Sequence, residues 1–440
     1  MTLTQTPAFG IFRSTALVVG NMVGTSIFLL PSVLASYGSM SLFGWLITSI
    51  GAIFLALTFA NLSRRFPQSG GPYIYSRLVF GDFVGFQMAW TYWIANWVSN
   101  AAVAVAFVNF LSYFWPALMT TPTYSFLLSI GTLWILTGIN ALSLRQVGNI
   151  QVLTTTLKLF PLIAIIIFGF FKIDRANFSP LLSDSKNMFF TIQQAAALTL
   201  FSFMGLESAT IPAEQVQNPR KTIPRATVWG TLIAAFIYIL SNFVVFGVVP
   251  SSKLAGACSP FSQVSEALFG SWAGPIIAAA AAFSCFGTLN GWILIQGQIP
   301  MAAARDGLFP ASFAKVSRKG IPVFGLIFSS LLITLLLAMN YEVGLVEQFK
   351  FIVNLTTFAI LLPYLYSSAA ELLLLLQENK NTEQIKFSKA MLVPIIGIIY
   401  AMWTITGAGT EVVFLGSLFL FSSLPVYVWM KANQSSKIRV

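Results

Sequence analysis

Long apolar runs alternate with short polar connections along the whole chain. An apolar run of about 20 residues can cross a bilayer as a helix. Twelve such runs are present, so the pattern predicts an all-α polytopic membrane protein with twelve transmembrane helices in one domain, residues 1–440. The runs lie near residues 11–33, 40–61, 81–114, 125–142, 150–171, 189–211, 226–249, 271–303, 321–339, 350–376, 390–406 and 411–430.

Lysine and arginine are distributed unevenly over the connections. With the N-terminus inside, the cytoplasmic connections hold 18 of the 24 Lys and Arg residues, and the outer connections hold five. Cytoplasmic loops of membrane proteins carry the excess of positive charge. We therefore expect both termini in the cytoplasm and the spans in a plasma membrane, specifically a bacterial inner membrane. The same distribution explains the net charge of +11 without a nucleic-acid partner.

The composition excludes several classes of protein. Charged residues make up 8% of the chain and hydrophobic residues 57%, whereas about 25% of a soluble domain is charged. The lipid bilayer is therefore the expected partner of most of the surface. The chain has no histidine and only two cysteines, Cys258 and Cys285, so we expect neither a metal site nor a disulfide framework. It also lacks a phosphate loop and a nucleophile–base constellation, and we expect no cofactor, no catalytic residue and no enzymatic activity.

Two of the apolar runs are interrupted near their centres. The first run contains the small and polar stretch GNMVGTS, residues 20–26, where a simple anchor would have Leu, Val or Ile. The sixth run contains FSFMGLES, residues 201–208. These two runs are five spans apart, so they cross the membrane in opposite directions. Two broken helices at matching places in antiparallel halves indicate an inverted-repeat transporter.

The chemistry of such breaks follows from their backbone groups. The N-terminus of a half-helix presents free N–H groups, and the C-terminus of a half-helix presents free carbonyls. A zwitterionic amino acid needs both kinds of group. The alternative is that the glycines only permit close helix packing. The candidates to bind the carboxylate are Val23, Gly24, Thr25 and Ser26, and those to bind the ammonium are Met22, Phe201 and Met204.

Polar side chains on the third and eighth runs predict a pocket for a ligand side chain. Tyr92, Asn96, Ser99 and Asn100 recur at helical spacings on roughly one face of the third run. Trp292 in the eighth run offers an indole face on which a guanidinium or ammonium could stack. An ordinary alternative is that the asparagines join helices and the tryptophan sits at an interface.

Six motifs carry a family resemblance. They are GNMVGTSIF, FSFMGLES, NPRKTIPRAT, AARDGLFP, GGPYIYSRLVFGDFVGF and LLPYLY. Together they resemble the amino acid–polyamine–organocation superfamily, and within it the basic amino acid/polyamine antiporters, the branch that includes the arginine/agmatine antiporter. The resemblance implies a LeuT-type 5+5 inverted repeat with discontinuous helices 1 and 6. The repeats would cover residues 11–171 and 189–376, and helices 11 and 12 would lie in residues 390–430.

The resemblance also assigns side chains. In these antiporters, residues that match Asn100 and Trp292 contact the cationic side chain, and Thr356 matches a further polar contact. The chain departs from the pattern at two positions. Phe201 stands where a tryptophan is expected, and Ser26 stands where the first-helix motif has a second glycine. A homodimer is one candidate assembly that the resemblance implies.

Two acidic residues lie within apolar runs. Glu207, in the sixth run, could pair with a cationic substrate or gate, or it could bind loose N–H groups of the second half-helix. Glu371 lies toward the cytoplasmic end of the tenth run, where we expect it to reach solvent.

Lys158 lies well inside the fifth run. Ionisable residues within membranes are usually functional. Desolvation favours the neutral amine, so Lys158 could exchange a proton, bonded to the carbonyl of Gly20 and to a hydroxyl of the eighth run such as Ser284. In some proton-coupled members of the superfamily, a lysine of the fifth span takes the place of a bound sodium ion. The alternative is that the long stem reaches the cytoplasmic interface.

These features predict a secondary active amino acid transporter. The resemblance favours an antiporter that exchanges arginine, lysine or ornithine for its decarboxylated amine or another amino acid by alternating access. Lys158 favours the alternative of proton-coupled uptake with broader specificity. A channel or a nutrient sensor with the same fold is a rival of a different class.

Overall fold

The computed structural model describes residues 9–142, 144–179, 187–211, 213, 216–342, 344–380 and 388–438. Side chains are described throughout these ranges except at 144–153, 340, 379–380 and 434–438. Within these ranges the secondary structure is helical, apart from an isolated bridge between Phe9 and Val216. The α-helices are α1 (Ile11–Met22), α2 (Thr25–Leu34), α3 (Ser41–Arg65), α4 (Pro72–Phe80), α5 (Asp82–Leu111), α6 (Ala117–Thr120), α7 (Pro122–Leu142), α8 (Leu144–Phe170), α9 (Met188–Leu200), α10 (Pro219–Val248), α11 (Ser251–Leu254), α12 (Pro260–Phe269), α13 (Ala273–Arg305), α14 (Val323–Asn340), α15 (Leu345–Lys380), α16 (Leu392–Gly407), α17 (Thr410–Phe421) and α18 (Ser423–Ile438).

Each expected apolar run coincides with helical structure. In the described part of the chain, ten helical segments are long and apolar enough to cross a membrane. The expected fifth and ninth spans lie in α8 and α14, whose fully described parts include the apolar stretches Thr154–Phe170 and Val323–Met339. The protein is therefore an integral, multi-pass, all-helical membrane protein.

The distribution of side chains is the reverse of that in a soluble domain. Large apolar side chains point outward: Phe160, Phe171 and Phe236 are 78%, 81% and 66% exposed. Many polar side chains are instead buried between the helices, Asn100 and Gln296 among them. Lipid tails solvate an apolar exterior, whereas buried amides need partners from neighbouring helices. The bundle is thus built to present an apolar surface to the bilayer.

The first interruption lies where the sequence predicts it. Helix α1 ends at Met22 and α2 begins at Thr25. Between them, Val23 and Gly24 leave helical geometry, with φ/ψ of −74°/81° and −125°/−130°. The break divides the first span into two half-helices near its middle.

The second interruption differs from the expectation on its far side. Helix α9 ends at Leu200 and is followed by a 3₁₀ turn, Phe201–Phe203. After a turn at residues 204–207, the described chain forms only a second 3₁₀ turn, Ser208–Thr210, rather than an α-helical half. Gly205 has a φ of +103°, a conformation that L side chains rarely adopt, and this glycine lets the backbone leave helical geometry at the break.

Small residues allow the helices around these breaks to approach closely. Helix α5 packs along α13 and α15, and α3 packs along α9 and α10. At the contact between α3 and α9, a Cβ added to Gly44 would lie 2.6 Å from the Cβ of Ala195. The backbone of Ala195 and Ala196 would be 3.0 Å away, so rotation of a side chain cannot relieve the overlap. Close packing of this kind stabilises helix pairs in membranes.

We expect Gly44→Val to lower the thermal midpoint of the detergent-solubilised protein, because the added atoms must separate α3 from α9 at a cost of about 1–3 kcal/mol. Gly138→Val on α7 is the matched control, since no atom lies within 4 Å of a Cβ added there. Equal midpoints for the two variants would contradict the packing argument.

Candidate functional site

A small cavity lies where the two interrupted segments meet. Helices α5 and α13 complete its wall. None of the lining side chains is charged. The lining residues are Asn21, Met22, Gly24, Thr25, Ser26, Ser99, Val103, Phe201, Met204, Thr288 and Trp292.

Backbone groups at the first break are only partly free. The amide of Val23 donates to the carbonyl of Val19 at 2.8 Å, and the amide of Gly24 donates to the carbonyl of Met22 at 2.8 Å. In this structure the turn itself uses the two amides that the sequence suggests for a carboxylate. Thr25 and Ser26 open α2, where amides have no acceptor within the helix.

The carbonyls at the two breaks can still accept further donors. The carbonyl of Met22 accepts from Gly24, and that of Phe201 accepts from the amide of Met204 at 3.3 Å. A carbonyl oxygen has two acceptor positions, so each can take a second hydrogen bond. These carbonyls and the α2 amides offer opposite polarity around one cavity.

A side-chain hydrogen bond joins the two breaks directly. Nδ2 of Asn21 donates to Oγ of Ser208 at 2.8 Å, and both residues are buried. The aromatic ring of Trp292 lies against the second break, because a Cβ added to Gly205 would be 3.2 Å from it. The indole thus forms a fixed wall between α13 and residue 205.

Glu207 stabilises the second break rather than lining the cavity. One carboxylate oxygen accepts from the hydroxyl of Tyr92 at 2.5 Å. The other accepts from the hydroxyl of Tyr364 at 2.5 Å and from the amide of Gly205 at 3.2 Å. The carboxylate is completely buried. Of the two roles open to Glu207, this geometry matches the binding of loose backbone N–H groups.

Six predicted residues do not line the cavity. Nδ2 of Asn96 donates to the carbonyl of Tyr92 at 2.7 Å, and Nδ2 of Asn100 donates to Oε1 of Gln296 at 2.6 Å. Oγ1 of Thr356 is buried and has no hydrogen-bond partner among the described residues. In this structure helix contacts use the amides of Asn96 and Asn100, and none of the six residues is among those that line the cavity. They are Val23, Tyr92, Asn96, Asn100, Glu207 and Thr356.

The cavity also includes four residues outside the predicted set of substrate contacts. Asn21 lies within the polar stretch of the first run, and Ser99 and Thr288 are polar residues of the third and eighth runs, so their residue types gave a usable signal. Val103 is apolar and follows Ser99 by one helical turn, and only its helical spacing could have indicated it.

Lys158 binds the end of the first half-helix. Its Nζ donates to the carbonyl of Gly20 at 2.6 Å, and the side chain is 1% exposed. In a continuous helix this carbonyl would accept from the amide of Gly24, which here bonds to Met22 instead. A cation at a helix C-terminus is electrostatically favoured. The expected bond to Ser284 is absent: Oγ of Ser284 is buried without a hydrogen-bond partner in the described ranges.

Glu371 is buried, contrary to the expectation that it reaches solvent. Its side chain is 1% exposed, and one carboxylate oxygen accepts from Nδ2 of Asn61 at 2.6 Å. The contact places Glu371 between α15 and α3, where the neighbouring helix shields it.

Comparison with known proteins identifies the family. The model of the amino acid permease family matches residues 9–436. The chain belongs to the amino acid permease family. This confirms the resemblance to the amino acid–polyamine–organocation superfamily, and with it the expectation of a membrane transporter.

Curated relatives cover most of the permease. The putrescine transporter PotE of Haemophilus influenzae is 34% identical over 422 residues, which are 95% of this chain and 96% of the relative. The cadaverine/lysine antiporter of Escherichia coli K12 is 34% identical over 371 residues, 83% of each chain. PotE of the same E. coli strain is 32% identical over 433 residues, 97% of each chain.

The first break gives a direct test of the cavity in this permease. A Cβ added to Gly24 would lie 2.9 Å from both Cγ2 and Oγ1 of Thr288. We therefore expect Gly24→Leu to abolish binding of labelled amino acids, because the side chain fills the space beside the α2 amides. Binding is measured by scintillation proximity on the purified protein.

The control for this test is Gly131→Leu on α7, where nothing lies within 4 Å of an added Cβ. It should fold and bind like the unmodified protein. Unchanged affinity in a folded Gly24→Leu variant would rule out a site at the first break.

Proposed function

We propose that this permease is an antiporter that exchanges a cationic amino acid, such as lysine, ornithine or arginine, for its decarboxylated amine or another amino acid. One observation carries the proposal: residues of both breaks and the indole of Trp292 line a single cavity. The relatives named as a putrescine transporter and a cadaverine/lysine antiporter support the same substrate class.

The α-amino and α-carboxylate groups of the substrate fit the two breaks. The carboxylate accepts hydrogen bonds from the amides of Thr25 and Ser26, at the positive end of α2. The α-ammonium donates to the carbonyls of Met22 and Phe201. A decarboxylated diamine lacks the carboxylate and relies on carbonyls and the aromatic wall.

The cationic side chain extends toward Trp292. Cation–π attraction contributes about 2 kcal/mol when the pair is desolvated. Trp292 is 3% exposed, so a cation beside it would be shielded from water. Asn100 lies within the same helix as the lining residues Ser99 and Val103 and supplies a polar contact beyond the indole.

Transport proceeds by alternating access within a LeuT-type fold of twelve spans. The inverted repeats cover residues 11–171 and 189–376, and both termini lie in the cytoplasm of a bacterial cell. The interrupted spans at corresponding places support this architecture. No nucleotide is needed, because the gradient of one substrate drives movement of the other.

Proton-coupled uptake is a second candidate, and Lys158 is the observation that favours it. Its charged form bridges α8 to the carbonyl of Gly20 at the end of α1. Loss of the proton weakens this bridge and frees the first half-helix. A residue that binds α1 in one protonation state and releases it in the other can favour either the inward-open or the outward-open conformation of a transporter.

The indole face predicts a change in selectivity. We expect Trp292→Ala to lower the affinity for cationic substrates about 30-fold, equivalent to about 2 kcal/mol, and to lower the affinity for alanine far less. Competition against a labelled substrate measures both affinities. Trp229→Ala is the control, since Trp229 is 60% exposed on the outer surface. Equal losses for lysine, arginine and alanine would show that Trp292 only packs.

Substitutions of Lys158 distinguish pure exchange from proton-coupled uptake. If this lysine couples a proton to transport, Lys158→Ala should still exchange substrates at uniform pH but lose uptake driven by a proton gradient. Lys158→Arg should behave in the same way, because a guanidinium keeps its proton. Counterflow and gradient-driven uptake are compared in proteoliposomes. Full gradient-driven uptake by both variants would leave the pure exchanger, with Lys158 as a structural cap of α1.

A further inference from the structure

A continuous row of side-chain hydrogen bonds starts at Asn100 and leads away from the cavity. Nδ2 of Asn100 donates to Oε1 of Gln296 at 2.6 Å. Nε2 of Gln296 donates to Oγ of Ser330 at 3.2 Å. Ser330 and Thr137 share a hydrogen bond of 2.8 Å between their hydroxyls. The row crosses four helices, α5, α13, α14 and α7, and all four side chains are buried.

The direction of this row is fixed at its far end. The hydroxyl of Thr137 donates its only proton to the carbonyl of Leu133 at 2.8 Å. Ser330 must therefore be the donor to Thr137, and its oxygen is left to accept from Gln296. Gln296 in turn can offer only its Oε1 to Asn100. A backbone carbonyl on α7 thus sets the orientation of an amide on α5.

This arrangement fixes the orientation of the Asn100 amide: its NH₂ group is bonded to Gln296, and its carbonyl oxygen is left without a donor. Oδ1 of Asn100 is buried and has no hydrogen-bond partner among the described residues. Such an acceptor is costly unless a ligand supplies a donor. Val103, one turn after Asn100, lines the cavity. Trp292, one turn before Gln296, also lines it, so the Asn100–Gln296 pair lies next to lining residues on both helices.

We propose that Gln296 is a positioning residue for substrate selectivity: it holds the amide of Asn100 so that an acceptor, and not a donor, is available to the far end of the substrate. An ammonium has only donors, and a free amide NH₂ in the same place would repel it. The inference rests on the proposed exchange of cationic substrates and names the device that selects the cation. Ser330 and Thr137 act through Gln296.

A purely structural role for the row has a different signature. Nε1 of Trp134 donates to Oγ1 of Thr334 at 3.2 Å, which joins the same two helices, α7 and α14, without a hydrogen bond to the side chains of the row. Oγ1 of Thr334 itself donates to the backbone carbonyl of Ser330 at 2.8 Å. If hydrogen bonds here only hold helices together, loss of this bond should resemble loss of the row. Thr334→Val is therefore the matched control.

The experiment compares lysine with norleucine, which has the same length but lacks the terminal ammonium. Dissociation constants for both are measured on the purified full-length protein by competition, for the unmodified protein, Gln296→Met, Ser330→Ala and Thr334→Val. Methionine keeps the length of glutamine and removes both hydrogen-bonding ends. The lysine preference is the dissociation constant for norleucine divided by that for lysine. We expect it to fall about tenfold in Gln296→Met, the size of one lost hydrogen bond to a charged group. Ser330→Ala should lower it in the same direction, and Thr334→Val should leave it unchanged.

A double-mutant cycle shows whether Gln296 acts through Asn100. In an Asn100→Ala background, Gln296→Met should cause no further fall in the lysine preference. A further tenfold fall there, or a lysine preference that survives in both Gln296→Met and Ser330→Ala, would overturn the inference. An unmodified protein without any lysine preference would instead overturn the proposed function, so the two failures are distinguishable.

Discussion

Backbone polar groups in a membrane must find partners within the protein, and the interrupted spans of this permease are organised by that constraint. At the first break, the turn satisfies the amides of Val23 and Gly24 by itself. The displaced carbonyl of Gly20 receives Lys158 as its donor. The second break satisfies Gly205 with the carboxylate of Glu207, which two tyrosines hold. After these contacts, the α2 amides and a few carbonyls are left for a ligand.

The interior polarity of the bundle follows from the same constraint. Buried amides such as Asn140 and Asn290 pair across helices, with Nδ2 of Asn140 donating to Oδ1 of Asn290 at 2.9 Å. Because the pairs lie between α5, α7, α13 and α14, this part of the bundle is cross-linked behind the cavity. The opposite wall, α1 and α2 with residues 201–208, has fewer helical hydrogen bonds. The cavity thus lies between a rigid wall and two interrupted segments.

The sequence predicted the helices and the places where they break, because apolar runs and clusters of small polar residues are local signals. It predicted Met22, Gly24 to Ser26, Phe201, Met204 and Trp292 as cavity residues. It did not predict that Val23 and Gly24 use their own amides, since this depends on a two-residue turn. The pairing of Asn100 with Gln296 joins residues 196 positions apart, and no local pattern encodes it. The burial of Glu371 depends in the same way on Asn61 of a distant helix.

The hydrogen bond between Asn21 and Ser208 joins the two breaks directly. In the exchange that we propose, this bond would help the groups that meet the two ends of a zwitterion keep their mutual spacing. Trp292 lines the cavity from α13. In the proposed exchange, a substrate would reach from the two breaks to this indole, so the length of the substrate would matter as well as its charge.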